Sequence, residues 1–146
     1  MIGLLQRVSR AQVEVGGERI GEIGRGLLVL VAVHRDDTGK DVARLAERLL
    51  GYRVFPDEEG RMNRSVRDIG GGLLLVPQFT LTADTRKGTR ASFTKGAPPD
   101  KASAYFDDLV AACKQGLEQV ETGAFGADMQ VSLTNDGPVT FWLDTR

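Results

Sequence analysis

Residues 26 to 33 read GLLVLVAV, with no polar side chain among them. A run this short, built from leucine and β-branched residues, reads as a strand buried on both faces. It is too short to cross a membrane, which takes roughly 20 apolar residues. The opening MIGLLQRVSR is not followed by a signal-peptide cleavage pattern, so the chain reads as a cytoplasmic protein without membrane association.

The remaining segments arrange themselves around that strand. MIGLLQRVSRAQVEV alternates apolar and polar residues and predicts one or two strands, and Gly16-Gly17 before ERIGEIG predicts a tight hairpin. Asp36, Asp37 or Thr38 can cap a helix whose apolar residues Val42, Leu45, Ala46, Leu49 and Leu50 share one face. YRVF at 52–55 is a short strand, 56–72 is polar and turn-rich, and LLLVPQFTL at 73–81 reads as a further strand. Pro98-Pro99-Asp100 opens a second helix with Ala102, Phe106, Leu109, Val110, Cys113 and Leu117 on one stripe. Residues 128–136 and 138–144 form a closing strand pair around Gly137-Pro138. At 146 residues and 41% hydrophobic content this is one compact domain. The expected class is α+β: a mostly antiparallel, curled, barrel-like sheet with two helices packed on it.

A net charge of -1 removes any global basic field, so a nucleic-acid partner would need a local patch. One candidate is RKGTRASFTK, residues 86–95, which carries Arg86, Lys87, Arg90 and Lys95 in a glycine-containing loop. The single cysteine, Cys113, offers neither a disulfide nor a metal-ligand pair and reads as a core residue. No His/Cys/Asp/Glu cluster has ligand spacing, so no metal is expected. The glycines at 70–72 precede a strand and lack the Lys-Ser/Thr of a phosphate loop, so no cofactor is expected either. His34, the one histidine, lies where the buried strand exits into RDD and reads as a strand-end or surface residue, which leaves no nucleophile-base-acid set.

Main-chain chemistry remains. VPQFTLTADTRKG brings Gln78, Phe79 and Thr80 to the point where the sheet gives way to the basic loop. Backbone N–H groups fixed there could stabilise a developing oxyanion, an effect worth roughly 3 to 4 kcal/mol per donor. A plain strand with alternating residues would leave the same sequence trace. Asp136-Gly137-Pro138 is similarly open, either a turn before the last strand or a rigid backbone feature aimed at a ligand.

From end to end the chain resembles the D-aminoacyl-tRNA deacylases. The resemblance rests on MIGLLQRVSRAQVEV, GEIGRGLLVLVAV, LAERLLGYRVFPDEEGRMN, QFTLTADTRKGTRASFTKGAPPDKA and TGAFGADMQVSLTNDGPVTFW, with QFTL and NDGPVTFW the specific pair. It implies an enzyme that hydrolyses the ester between a D-amino acid, or glycine, and tRNA. It further implies a homodimer in which a cis Gly137-Pro138 from one protomer enters the site of the other and excludes L side chains. By the same resemblance Gln78, Phe79 and Thr80 line the catalytic pocket, Phe125 and Met129 form its walls, and the RNA 2′-hydroxyl assists catalysis. Arg86, Lys87 and Arg90 are the expected tRNA phosphate contacts. The family usually carries serine before QFT, whereas Pro77 stands here. Its nitrogen is expected to face a non-bonded side of the strand, with activity retained. A chain disabled by Pro77 would instead be a binding module for tRNA ends or free D-amino acids.

Overall fold

The computed structural model describes residues 1–146. The sheet is organised by two strands without polar side chains, β3 (Gly26–Ala32) and β6 (Gly72–Pro77), which pair in parallel from Gly26 opposite Gly72 to Val31 opposite Pro77. Successive side chains of a strand point to opposite faces. Leu27, Val29 and Val31 with Leu73 and Leu75 therefore join one apolar cluster, while Leu28, Leu74 and Val76 join another.

Helices cover the first face. Helix α1 (Gly39–Gly51) buries Val42, Leu45, Ala46, Leu49 and Leu50, and α2 (Pro99–Gly116) buries Ala102, Phe106, Leu109 and Cys113. Burying each large apolar side chain contributes on the order of 2 kcal/mol, and here the periodic stripes of both helices meet one shared set of strand residues. Thr38 starts α1, its N–H donating to the Asp41 carboxylate at 2.8 Å, and Pro99 occupies the first turn of α2, where a missing N–H costs nothing.

The second face is covered by the sheet curling on itself. Strand β1 (Ile2–Val15) pairs antiparallel along one edge with both β3 and β2 (Glu18–Ile23), while its other edge pairs with β8 (Gln130–Asp144). Gly16 and Gly17, with φ of 58° and 81°, make the β1–β2 turn, a conformation glycine adopts without steric cost. β7 (Val120–Thr122) pairs in parallel with β6. β2 then folds back over it: a Cβ placed on Gly21 would lie 2.9 Å from the Thr122 carbonyl oxygen. The sheet is thus nearly closed, with Val8, Ala11, Val13 and Ile23 inside the curl. A separate two-stranded ribbon joins β4 (Phe55–Pro56) to β5 (Met62–Arg64).

Antiparallel pairings predominate, as the sequence predicts, but β3, β6 and β7 run parallel. Two expectations fail. The segments 128–136 and 138–144 do not pair with each other; from Gln130 onward both belong to β8 and lie along β1. β6 ends at Pro77, and Phe79–Thr82 form a 3₁₀ turn instead of more strand.

The closest approach in the parallel pair tests this arrangement. A Cβ on Gly26 would sit 1.9 Å from the Gly72 carbonyl oxygen, whereas Gly24 faces open space. Gly26→Ala is expected to abolish soluble folded protein, and Gly24→Ala to leave the thermal midpoint close to wild type, as read by circular dichroism melts.

Candidate active site

The site begins where β6 runs out of partners. Gln78 N–H donates to the Val31 carbonyl at 2.7 Å, which in a parallel ladder turns the nitrogen of Pro77 away from β3. On the other edge, Gly123 N–H donates to the Leu75 carbonyl at 2.9 Å, after which β7 pairing stops. Pro77 therefore occupies a position with no ladder bond to lose, its ring close to Gly123. The QFT segment stays tied to the sheet end.

Without neighbours to extend the ladder, the backbone tightens. Leu81 N–H bonds back to the Gln78 carbonyl at 3.2 Å and Ala83 N–H to the Thr80 carbonyl at 3.1 Å. The N–H groups of Phe79 and Thr80 precede the first of these bonds and have no acceptor within the turn. The Gln78 amide donates to the Thr80 hydroxyl, which no imidazole or carboxylate accompanies.

Beside this turn opens a cavity of about 600 Å³. Its floor is Val31, Val76 and Phe106, and three exposed aromatics, Phe79, Phe93 and Phe125, stand at its rim. Phe79 is 61% exposed and its ring lies 5.2 Å from that of Phe93, at an interplanar angle of 57°. Gln78 and Met129 also line the cavity, and Met129 sulfur accepts the Ala124 N–H at 3.4 Å. Gln78, Phe79, Phe125 and Met129 thus come together, whereas Thr80, expected to line the pocket as well, is not among the lining residues.

The basic loop is closed at its base by mutual N–H to carbonyl bonds between Asp84 and Ser92, at 2.7 and 3.0 Å. Arg86 is not free: its guanidinium grips the Asp84 carboxylate at 2.9 and 2.6 Å and holds that carboxyl well below the usual carboxylate range. Lys95 approaches the same carboxylate at 3.9 Å. Lys87 and Arg90 have no acidic partner and are exposed.

Gly137 and Pro138 lie elsewhere. In the β1–β8 ladder Gln6 faces Thr140 and Val8 faces Asn135, so four residues, Asp136 to Val139, bulge out opposite the single residue Arg7. Arg7 holds the base of this bulge, its Nε donating to the Asp136 carbonyl at 2.8 Å and its Nη1 to the Val54 carbonyl at 2.6 Å. Asn135 Oδ1 accepts the Val139 N–H at 2.7 Å. The Gly137–Pro138 peptide is cis, and Gly137 has a φ of 146°, a region side-chain-bearing residues rarely enter. Asp136, Gly137 and Pro138 are exposed and do not line the cavity of their own chain.

His34 lies just past the end of β3, as a strand-end residue, but it is buried and not at the surface, and neither ring nitrogen has a hydrogen-bond partner. Its Nε2 lies 3.7 Å from the Asp144 carboxylate, and the Met1 ammonium, itself bonded to Asp37 at 2.9 Å, shares the region. Burial, then Arg146 and the Met1 ammonium, lower its pKa, against the opposing pull of Asp37 and Asp144. It does not line the cavity and takes no part in this site. Cys113 is buried in the core as predicted, and desolvation pushes its thiol up to about 12. Arg7 and Phe93 were not singled out by the sequence; a lone arginine in a strand and a phenylalanine in a basic loop carry no pattern that marks them.

A family model described as D-Tyr-tRNA(Tyr) deacylase matches residues 4–144. A D-aminoacyl-tRNA deacylase of Alkalilimnicola ehrlichii is 64% identical over 146 residues, covering 100% of this chain and 97% of that protein. A second, of Cronobacter sakazakii, is 59% identical over 143 residues, covering 98% and 99%. Among solved structures, the c-Myc DNA Unwinding Element Binding Protein superposes with a TM-score of 0.95 at 38% identity, covering 100% of this chain and 99% of that one.

The buried histidine makes a pH prediction. With its pKa lowered below 6.5 in the folded state, His34 contributes nothing to the pH dependence above that value, where both states are neutral there. As pH falls below 6.5 the unfolded chain binds a proton that the folded chain resists, and stability declines. Urea unfolding at pH 7.5 and 5.5 is expected to show a smaller loss for His34→Leu than for wild type.

Proposed function

Because the chain belongs to the D-Tyr-tRNA(Tyr) deacylase family of aminoacyl-tRNA ester hydrolases, we propose that it releases D-amino acids, and glycine mischarged on tRNA(Ala), while sparing L-aminoacyl-tRNA. The observation that carries this reading is an apolar cavity lined by Phe79, at the start of a 3₁₀ turn whose Phe79 and Thr80 N–H groups have no acceptor within the turn, with no side-chain nucleophile and base beside them.

An ester seated at the cavity mouth would place its carbonyl oxygen toward those N–H groups. Water adds to the carbonyl carbon, the oxygen takes up negative charge, and the bond to the ribose oxygen then breaks as that oxygen receives a proton. Donors fixed before the reaction stabilise the charged intermediate without reorganising. The neighbouring 2′-hydroxyl of the terminal adenosine supplies the proton handling that the protein lacks, and holding the ester beside it supplies proximity. Phe125 and Met129 bound the amino-acid side chain. Lys87 and Arg90, with Arg86 already committed to Asp84, offer charge to the acceptor-strand phosphates. The reaction belongs in the cytoplasm, where charged tRNA is used.

Chiral exclusion would come from a second copy of the chain. The Asp136–Val139 bulge projects from its own protomer and is available to enter a partner's cavity, where Gly137 and Pro138 would collide with an L side chain and leave D residues and glycine unopposed. Two features favour this dimer. The outer edge of β8 pairs with nothing in the chain, an arrangement soluble proteins normally cover. Trp142, 53% exposed, stands opposite half-buried Leu4, which in turn pairs with Leu30.

Two experiments test the reading. In a deacylation time course on D-Tyr-tRNA, Gly-tRNA(Ala) and L-Tyr-tRNA, release is expected from the first two only; binding of charged tRNA without release from any of them would make the chain a binding module. Trp142→Asp is expected to yield a folded monomer by light scattering and to begin releasing tyrosine from L-Tyr-tRNA, because the excluding bulge of the second copy is then absent. A dimeric Trp142→Asp protein that still spares L-Tyr-tRNA would place the contact elsewhere.

A further inference from the structure

We propose that Thr82 is a positioning residue for this deacylation, acting through the peptide that joins Phe79 to Thr80; the inference rests on the reaction proposed above. Thr82 is polar yet only 4% exposed, and its hydroxyl donates to the Phe79 carbonyl at 2.8 Å. A trans peptide is planar, with its C=O and N–H directed oppositely. Anchoring the Phe79 oxygen toward Thr82 therefore fixes the direction of the Thr80 N–H, opposite to that oxygen. The same bond polarises the peptide and strengthens its N–H as a donor.

The anchor itself cannot drift. Gly96 lies so close that a Cβ there would meet Thr82 Oγ1 at 2.7 Å and Thr82 Cβ at 3.6 Å. Gly96 is held in turn: its N–H donates to Phe93 at 3.2 Å, while Arg35 N–H to Lys95 at 2.9 Å and Ala97 N–H to Val33 at 3.0 Å tie the segment to the chain leaving β3. A β-branched side chain has few rotamers to begin with. Thr82 is thus clamped between the 3₁₀ turn and a strand-tied segment that also carries Phe93, one of the rim aromatics. A hydroxyl serving only as a local cap would stabilise the turn; a positioning hydroxyl must also set the rate.

Single-turnover and steady-state deacylation of D-Tyr-tRNA by Thr82→Val, Thr82→Ser and Gly96→Ala separate these roles. Valine keeps the shape and removes the hydroxyl, and is expected to lower kcat about tenfold while KM stays within about twofold and the thermal midpoint is retained. Serine restores the hydroxyl and is expected to recover kcat to within about threefold. Gly96→Ala keeps the hydroxyl but forces the clamp apart, and is expected to lower kcat as valine does. Wild-type kcat in Thr82→Val, or failure of serine to restore it, overturns the proposal. Should Thr82→Val not fold, Gly96→Ala decides: a folded protein with lowered kcat supports the assignment and one with unchanged kcat overturns it. A wild-type protein inactive on D-Tyr-tRNA would remove the underlying reaction itself, an outcome visible before any variant is made.

Discussion

The parallel pairing of β3 with β6 is the constraint on which the rest of the molecule depends. Both strands lack polar side chains, so each demands apolar cover on two sides. The helices meet that demand on one side and the curl of the sheet meets it on the other. The same pairing sets where the ladder must stop. β3 ends at Ala32 and β7 at Thr122, and the backbone of β6, deprived of partners on both edges within a few residues, turns into the 3₁₀ segment that borders the cavity. The candidate site is a product of strand termination, and its lining is mostly apolar side chains with no reactive set among them.

Much of the architecture was legible in the sequence because it follows from periodicity. Every residue on the predicted stripe of α1 is buried, and on α2 Ala102, Phe106, Leu109 and Cys113 are as well. The Gly16-Gly17 hairpin is where the turn chemistry puts it. Failures occur where the deciding partner is distant in sequence. Nothing in LLLVPQFTL states that it loses its neighbours after Pro77; that depends on where β7 stops, some 45 residues later. The two halves of β8 look like a hairpin locally, and only the length of β1 makes them one strand. His34 appeared to be leaving the core, but Asp144 and Arg146 close over it from the far end of the chain.

The site divides along the same line. Gln78 and Phe79 could be placed at a strand end from residue types, whereas Phe125 and Met129 came only through family resemblance, and all four do line one cavity. Arg86 pairs with Asp84, two positions before the acid-free stretch 86–95, so that stretch by itself leaves the pairing unseen. The arginine clamp on the Asp136–Val139 bulge joins residues 129 positions apart and leaves no local trace.

Donors proposed on the main chain carry one further consequence. Side-chain exchange at Phe79 or Thr80 alters the walls and leaves the donors standing, since every residue except proline brings an identical N–H. Sequence drift at these two positions is therefore a poor gauge of whether the chemistry survives. The vulnerability has moved inward, to the packing that aims the peptide planes, so damage to this site would look, in a list of variants, like damage to the core.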